Sequence, residues 1–455
     1  MREFIANIKY LNRKFIIWLI RHNAVSVLVA VLVIWISYEI ISPDTPILDW
    51  FDFSVLSSII FAFIVAILGN ALSLFVDNKI EDRIKLTTDY ETLTSGYMRK
   101  LYKYKNSVQE NVSPKNLDVL YKKEGISKKQ RNKKSYTVEF PVTYDAYTYN
   151  SEIKFVDSDN HYELPEIVEN NMESLLKAHN TTIKYNQLMI RVDDWHWNES
   201  RDTFHVHTSR TTYIQSLLTN RAIDYELESG LSIRKLFDYG PLITPLKESK
   251  LSNHLGFNGF IESSDGYIPL VRRSSRVSIG KKTYAASVSA SVKSKYVFED
   301  MIEVNDNGSK NIIYNVEVNL NGIKNTIIKE IEDELKISPE SLEWSDTKKH
   351  VFAWYRDMVE GGKPHFVFHI KVKESKETIE KNFKKAKKAN KILYNLQTRM
   401  LEDADELIWI PKSKLTTIAI SPEYIVYDKK AYKTLPSYSA SLALLIDHLK
   451  KFKAL

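Results

Sequence analysis

Four carboxylates lie close together in the stretch KEIEDELKI, residues 329–337, beside three aliphatic side chains. On a helix, residues three and four apart lie on one face, so Glu330, Asp333 and Glu334 would converge. Oxygen ligands of this kind are what Mg²⁺ prefers, which makes the three carboxylates candidate metal ligands. A charged amphipathic helix that only faces solvent explains the same spacing, and both interpretations stay open on these residues alone.

A second group of candidate metal ligands lies upstream, in segments with strand-like alternation. His205 and His207 are two residues apart, so both rings would lie on one side of a strand. The nearby stretch DDWHW adds Asp193, Asp194 and His196. Position along the chain gives no clear third ligand for the histidine pair, and structural packing is the favoured interpretation.

The composition excludes several kinds of chemistry. The 455-residue chain has no cysteine, so disulfides, thiolate catalysis and cysteine-based zinc sites are ruled out. The sequence contains no glycine-rich phosphate loop and no nucleophile elbow. The 64 basic residues exceed the 57 acidic ones, and the net charge of +7 suits an anionic partner without requiring nucleic acid.

Two apolar segments near the N-terminus, residues 23–41 and 53–76, are each long enough to cross a bilayer. Basic residues precede the first and follow the second, whereas the loop between them has aspartates and no lysine or arginine. The positive-inside rule then predicts cytoplasmic termini and a multi-pass protein of the cell inner membrane. Residues 1–22 mix bulky apolar and basic side chains and are predicted to lie on the inner membrane surface.

The second apolar segment carries a stripe of small and polar residues at helical spacing. Its members are Ser58, Ala62, Ala66 and Asn70. Such a stripe lets helices approach closely, and Asn70 could hydrogen-bond to a partner helix, which predicts a homo-oligomer. Ordinary composition is the alternative explanation of the stripe, and the residues favour neither.

The rest of the chain has the pattern of a mixed α+β protein. Residues 77–110 are predicted to form a helical stalk, and residues 111–246 a cytoplasmic middle region of strands interrupted by a helix. Two prolines just before residue 246 place a boundary there. Residues 247–455 are predicted to form a C-terminal domain in which helices flank a mixed sheet.

The order of elements after residue 247 resembles a Nudix domain, and the acidic helix carries the most specific part of that resemblance. The second half of the Nudix box matches this sequence at Glu330, Asp333 and Glu334. In the family these carboxylates hold divalent cations on a diphosphate, so the resemblance implies the same role for the three residues.

The sequence departs from the Nudix box at four positions. Lys329 stands where the family has arginine, and Lys336 stands where it has the closing glycine. Counting back without gaps, Asn315 replaces the opening glycine and Asn321 the upstream glutamate. The resemblance therefore implies a Nudix-like fold with weak or absent hydrolysis.

The whole chain is similar in arrangement to the transmembrane Nudix-like effectors of bacterial anti-phage systems of the CBASS type. The resemblance rests on two N-terminal spans, a stalk, a middle region with SLLTNRAIDY, and KLSNHLGFNGFIESSDGYIPLVRR before the degenerate box. It implies that a nucleotide cyclase makes a cyclic nucleotide and that the cytoplasmic domain binds it. The membrane segments would then assemble and disrupt the inner membrane, with this ligand, the lipid bilayer and further copies of the chain as partners.

A cyclic nucleotide offers phosphates and flat bases, which basic side chains and aromatic faces would recognise. Six residues on and after a predicted strand could supply this recognition. They are Arg272, Arg273, Arg276, Lys281, Lys282 and Tyr284. A basic hairpin on the surface explains each of them equally well.

Two other functions remain open. A membrane-anchored Nudix-type hydrolase of nucleoside diphosphate derivatives would use Glu330, Asp333 and Glu334 to hold Mg²⁺. A structural membrane scaffold would use its basic face to contact lipid. The favoured sensor interpretation requires no catalytic residue and no cofactor, and it considers Mg²⁺ only for the three helix carboxylates.

Overall fold

The structure is a computed structural model of the 455-residue chain. The residues that it describes are Leu86, Leu93, 101–107, 135–179, 186–240, 243–274, Gly280, 282–298, 301–304, 310–313, 317–392, 404–428 and 430–452. They all belong to one compact unit, Ile84–Leu455, whereas the other unit, Met1–Arg83, contains none of them.

The predicted membrane architecture is corrected by the structure. No helix of the described ranges is both long and apolar enough to cross a membrane. The surface segment 1–22, the predicted spans 23–41 and 53–76, and the stripe formed by Ser58, Ala62, Ala66 and Asn70 lie outside the described residues. This finding contradicts the predicted two-span architecture and the inner-membrane localisation, and the described residues form a mixed α+β fold.

The described chain forms seventeen strands and nine α-helices. In chain order the strands are β1 (Leu101–Ser107), β2 (Ser135–Tyr147), β3 (Glu152–His161), β4 (Leu188–Trp197), β5 (Thr203–Thr212), β6 (Gly256–Glu262), β7 (Tyr267–Arg273), β8 (Tyr284–Ala285), β9 (Val288–Ser291), β10 (Met301–Val304), β11 (Lys310–Ile313), β12 (Val351–Asp357), β13 (Lys363–Lys371), β14 (Ala404–Pro411), β15 (Ala419–Ile420), β16 (Tyr424–Tyr427) and β17 (Lys430–Lys433). The helices are α1 (Glu166–Asn170), α2 (Met172–Ala178), α3 (Tyr213–Leu218), α4 (Ile233–Phe237), α5 (Ser294–Val297), α6 (Leu320–Leu335), α7 (Thr347–His350), α8 (Lys376–Ile392) and α9 (Pro436–Lys451).

A six-stranded sheet in the order β1-β2-β12-β13-β6-β9 forms the centre of the fold. Its pairs are antiparallel except β13 with β6, which run parallel. Every residue of β6 and β12 is buried, because this sheet is covered on both faces. Strand β1 occupies the end of the segment predicted as a helical stalk, and β2 pairs with β12 across the boundary predicted at 246.

Helix α6 covers one face of the central sheet. The side chain of Asn319 accepts a hydrogen bond from the Gly322 amide at 2.9 Å and so begins the helix. Ile323, Ile327, Ile331 and Leu335 repeat every four residues and are fully buried against the aromatic core. Lys336 ends the helix in a left-handed conformation, with φ of 57°.

Helix α9 covers the opposite face of the sheet. Pro436 is its first residue, where a missing amide hydrogen costs nothing. Asn258 of β6 donates to Ser441 at 3.0 Å, and the Tyr355 hydroxyl of β12 lies 2.6 Å from the Ser437 hydroxyl. These buried hydrogen bonds fix the first turns of α9 over the end of the central sheet.

Three smaller sheets surround this centre. They have the strand orders β14-β7-β8, β3-β5-β4 and β15-β16-β17, and β10 with β11 forms a separate hairpin. Strand β7 is the central strand of the first small sheet, which carries Arg272, Arg273 and Tyr284 of the residues predicted to bind a ligand.

Candidate functional site

The first helix carboxylate, Glu330, forms a buried ion pair. Its side chain is only 2% exposed, and the Lys293 ammonium, from the segment between β9 and α5, contacts its Oε1 atom. Burial raises the pKa of Glu330, and the positive charge of Lys293 opposes that rise. The Lys293 ammonium therefore already pairs with Glu330, the carboxylate that the sequence predicts as a metal ligand.

Glu334 lies one turn further along α6. Its Oε2 atom accepts a hydrogen bond from the backbone amide of Ser289 at 3.3 Å. Burial, together with the neighbouring charge of Glu330, raises the pKa of Glu334 to about 8, although Arg273 and Lys293 act in the opposite direction. At neutral pH this side chain is mainly protonated, and a protonated carboxyl is a poor ligand for Mg²⁺.

Asp333 belongs to the outer surface of the helix. The Tyr296 hydroxyl donates to its Oδ2 atom at 3.1 Å. Both residues line an open cavity of about 510 Å³, whose other lining residues are Lys295, Lys329, Glu332 and Lys336. The structure thus separates Asp333, at the surface, from the buried Glu330. Among the residues that the structure describes, no three His, Asp or Glu side chains are placed to hold a metal ion as they stand.

The side chains of Arg272 and Arg273, which are consecutive in β7, lie on opposite faces of the sheet because side chains alternate along a strand. The Arg273 guanidinium lies 5.7 Å from the ring centre of Tyr438, on the first turn of α9, and close enough to Glu334 to lower its pKa. Arg272 points instead into an open cavity on the β14-β7-β8 sheet. Arg276 and Lys281 lie outside the described residues.

The cavity beside Arg272 has a volume of about 560 Å³, and we call it the basic cavity. Its lining residues are Arg272, Lys282, Tyr284, Glu406, Lys430, Ala431, Tyr432 and Lys433. It therefore brings together three of the six predicted ligand residues. Lys430 and Lys433 of strand β17, which no sequence pattern marks as ligand-binding residues, complete it.

Strand register explains why these side chains meet. Arg272 pairs with Tyr284 of β8 on one side and with Glu406 of β14 on the other, so the three residues form one row across the sheet. The Tyr284 hydroxyl hydrogen-bonds to Glu406, whereas Arg272 is 3.9 Å from the same carboxylate. Burial and that hydrogen bond raise the pKa of Tyr284. Tyr432 meets Tyr284 edge to face, with ring centres 5.0 Å apart.

A buried charged cluster near the end of the central sheet escaped sequence reasoning. The Lys363 ammonium lies 3.3 Å from Glu360 Oε2, and Arg221 Nε lies 3.7 Å from the same atom. Burial alone would raise the pKa of Glu360, but these two cations lower it to about 2. His254 and His365 lie beside them, and their ring nitrogens have no hydrogen-bond partner in the described part of the chain.

The sequence gives one weak signal for this cluster. Gly361 and Gly362, between Glu360 and Lys363, have φ of 63° and 74°, which marks a tight turn rather than a continuous strand. Arg221 and His254 come from distant segments, so their approach to this turn is a property of the fold. Burial and the nearby cations lower the pKa of His365 to about 3, which keeps its imidazole neutral.

Comparisons with known proteins leave the family open. No family model and no curated protein matches the chain. One matching solved structure is that of DR0079 from Deinococcus radiodurans, with 13% identity over 35% of this chain and 67% of that one. Its TM-score of 0.19 is too low to support an argument about fold or function.

The resemblance to Nudix-like effectors therefore stays a prediction that these comparisons do not test. None of the comparisons supports a Nudix or CBASS protein, or cyclic-nucleotide binding, and the described chain has no membrane-spanning helix. The fold and its surfaces define a mixed α+β domain with two notable features. One is the basic cavity, and the other is an acidic helix in which Glu330 is paired with Lys293 and the pKa of Glu334 is raised.

Proposed function

We propose that the described domain binds a phosphate-bearing ligand with a planar ring in the basic cavity, without hydrolysing it. The observation that supports this proposal is the composition of the cavity wall, in which four cations and two tyrosines face a single carboxylate. Its volume of about 560 Å³ is in the range of small-molecule sites, which is roughly 300–1,000 Å³.

Arg272 is the anchor for phosphate in this proposal. Its guanidinium can donate two parallel hydrogen bonds to one phosphate, whereas the lysines act as point charges. Its pairing with Glu406 is loose, at 3.9 Å, and both side chains keep about a third to a half of their exposure. An incoming phosphate can therefore replace Glu406 as the partner of Arg272 at little cost.

The two tyrosines supply the surface for a planar ring. Tyr284 and Tyr432 stand edge to face, so a ring that stacks on one tyrosine is bordered by the other. Stacking of a base on an aromatic side chain contributes about 1–3 kcal/mol and tolerates different bases. Glu406 accepts the Tyr284 hydroxyl hydrogen bond, which holds that ring in place.

Absence of hydrolysis is proposed from the state of the acidic helix. Lys293 is paired with Glu330, and the raised pKa of Glu334, about 8, keeps that carboxyl mainly protonated at neutral pH. We therefore propose that ligand binding needs no Mg²⁺, which disfavours the alternative of a Mg²⁺-dependent hydrolase. A cyclic nucleotide has the proposed chemistry, and the role in antiviral defence, the homo-oligomer and the link to a cyclase stay predictions.

Titration calorimetry on the full chain tests the proposal. The probes are ADP and a cyclic dinucleotide, with adenosine and inorganic pyrophosphate as the ring alone and the phosphates alone. We expect the complete nucleotides to bind more tightly than either part, and affinity to fall as salt screens the cations. Arg272→Gln should weaken nucleotide binding by about tenfold or more, because the bidentate contact is lost.

Lys295→Gln is the matched control, since Lys295 lines the other open cavity. It should leave nucleotide affinity unchanged. Equal weakening by Lys295→Gln and Arg272→Gln would show that only net charge matters, and nucleotide binding that survives Arg272→Gln would place the site elsewhere. Phosphate release from ADP in the presence of Mg²⁺ would contradict the non-hydrolytic part of the proposal.

A further inference from the structure

Three histidines and an aspartate share the exposed face of the β3-β5-β4 sheet, far in sequence from the basic cavity. His196 of β4 lies directly opposite His205 of β5, and Asp194 lies opposite His207. The His196 side chain is 52% exposed and that of Asp194 is 36% exposed. The sequence predicts only that His205 and His207 lie on one side; the pairing of strands adds the other two residues.

An irregularity in β4 creates this arrangement. The register of β4 against β5 shifts by one residue between Val192 and Asp194, and Asp193 is the extra residue. Asp193 itself turns to Arg191 and to the Ser209 hydroxyl, which donates to it at 2.9 Å. Without the shift, His196 would stand opposite Phe204 rather than His205.

The ring positions agree with those of imidazoles that share one metal ion. The ring centre of His196 is 5.5 Å from that of His205 and 5.3 Å from that of His207. Two imidazoles bound to a tetrahedral zinc ion, with Zn–N distances of about 2.0–2.1 Å, have ring centres roughly 5.2 Å apart. Both ring pairs that include His196 are thus already near the spacing that a shared ion requires.

The ring orientations differ from those of a formed site. The planes of His196 and His205 are 11° apart, and those of His196 and His207 are 21° apart, so the rings lie nearly parallel and their nitrogens do not converge. This is why the described side chains form no metal site as they stand. The rings lie on an exposed or partly exposed face, so rotation about their χ angles displaces no core atom.

Asp194 is placed to orient the central imidazole. Its Oδ2 atom lies 3.6 Å from His196 Nδ1. A carboxylate that holds one ring nitrogen leaves the other nitrogen directed at a metal, as in carboxylate–histidine–metal arrangements. Lys154 of β3 pairs with His205, but its exposed ammonium can extend into solvent away from a cation.

From these positions we infer that His196, His205 and His207 form a site for a divalent transition-metal ion. Imidazole nitrogen favours Zn²⁺, Ni²⁺, Co²⁺ and Cu²⁺ over Mg²⁺ or Ca²⁺, which prefer oxygen ligands. Three protein ligands leave one coordination position toward solvent, which a water molecule can fill.

The proposal is tested on the full chain with Zn²⁺ and with Co²⁺ as a spectroscopic probe. We expect one Zn²⁺ per chain with micromolar or tighter affinity, and a visible Co²⁺ spectrum of the tetrahedral type that Zn²⁺ abolishes. His196→Ala, His205→Ala and His207→Ala should each weaken Zn²⁺ binding by about tenfold or more. Asp194→Asn should weaken it by about 10- to 100-fold if it orients His196.

His161→Ala is the matched control, because His161 is an exposed histidine at the end of β3 in the same sheet. It should leave the Zn²⁺ affinity and the Co²⁺ spectrum unchanged. An affinity weaker than about 100 µM, an octahedral Co²⁺ spectrum, or equal losses in His161→Ala and His205→Ala would each overturn the inference. Since all four histidines are on exposed or partly exposed positions, circular dichroism should show every variant folded.

Discussion

Removal of the Lys293 ammonium should destabilise the fold and make its stability depend on pH. In a Lys293→Met variant, Glu330 would keep a carboxylate that is 2% exposed and has lost its partner. Breaking a buried ion pair from one side costs about 3–5 kcal/mol, because the remaining charge is desolvated. We expect the free energy of unfolding at pH 7 to fall by about 3 kcal/mol, since protonation of Glu330 relieves part of the cost.

The expected pH dependence has a definite sign. In the variant, the pKa of folded Glu330 is raised further above its ordinary value of 4.5, because burial acts without the opposing charge. A carboxyl with a raised folded pKa stabilises the protein below its unfolded pKa, and that stabilisation is lost as the pH rises through the folded pKa. The deficit of Lys293→Met should therefore be small near pH 4.5 and grow toward pH 7.

Urea unfolding followed by tryptophan fluorescence measures both effects. Lys295→Met, two residues away and exposed, is the matched control and should change the unfolding free energy by less than about 0.5 kcal/mol. The double variant Lys293→Met/Glu330→Met should be more stable than Lys293→Met alone, because no unpaired charge remains. If Lys293→Met matches wild type at pH 7, or its deficit shrinks as the pH rises, the buried pair does not act as argued.

Two further predictions concern α6. Glu334 has a pKa raised to about 8, so wild-type stability should decline as the pH rises from near 4.5 through 8, and Glu334→Gln should flatten that decline in urea unfolding curves. A steeper decline in the variant would contradict this. At Gly322, an added Cβ would lie 2.7 Å from the Val297 carbonyl oxygen, so Gly322→Ala should lower the unfolding free energy by about 1–3 kcal/mol despite the better helix propensity of alanine. A melting temperature equal to or above that of wild type would show that α5 moves aside freely.

The acidic helix shows what a local pattern can predict. Its buried positions repeat every four residues and an asparagine caps its start, so residues 329–335 are helical as predicted. The same pattern could not show which carboxylate is neutralised, because Lys293 approaches from a different segment. Asn321, at the position of the upstream glutamate of the Nudix box, lies in the first turn of α6.

The basic residues show a second limit. Arg272 and Arg273 are adjacent in sequence, yet alternation along β7 sends one to the basic cavity and the other to Tyr438. The opposite directions of these two side chains could be predicted from the sequence once residues 267–273 are assigned to a strand. The arrival of Lys430 and Lys433 depends on where β17 lies in the fold, which no spacing within residues 272–284 encodes.

The histidines show how a register shift of one residue determines which side chains lie together on a sheet surface. Sequence spacing predicts that His205 and His207 share a side, but it carries no information about the strand beside them. The irregularity at Asp193 aligns His196 with His205, and a chain with regular pairing would scatter the same residues. Likewise, nothing in the sequence links His254 with His365. They lie near each other because β13 and β6 are neighbours, and His365 pairs with Gly256, two residues after His254.

The pairing of β2 with β12 bears on how this domain can be inherited. Because the central sheet takes strands from both sides of residue 246, a gene fragment that starts there would encode β12 with a bare edge of seven residues. Unpaired edges of that kind invite aggregation. Recombination at this point would thus separate β12 from its neighbour β2, whereas exchange of the region from β1 to α9 as one piece would keep that edge covered.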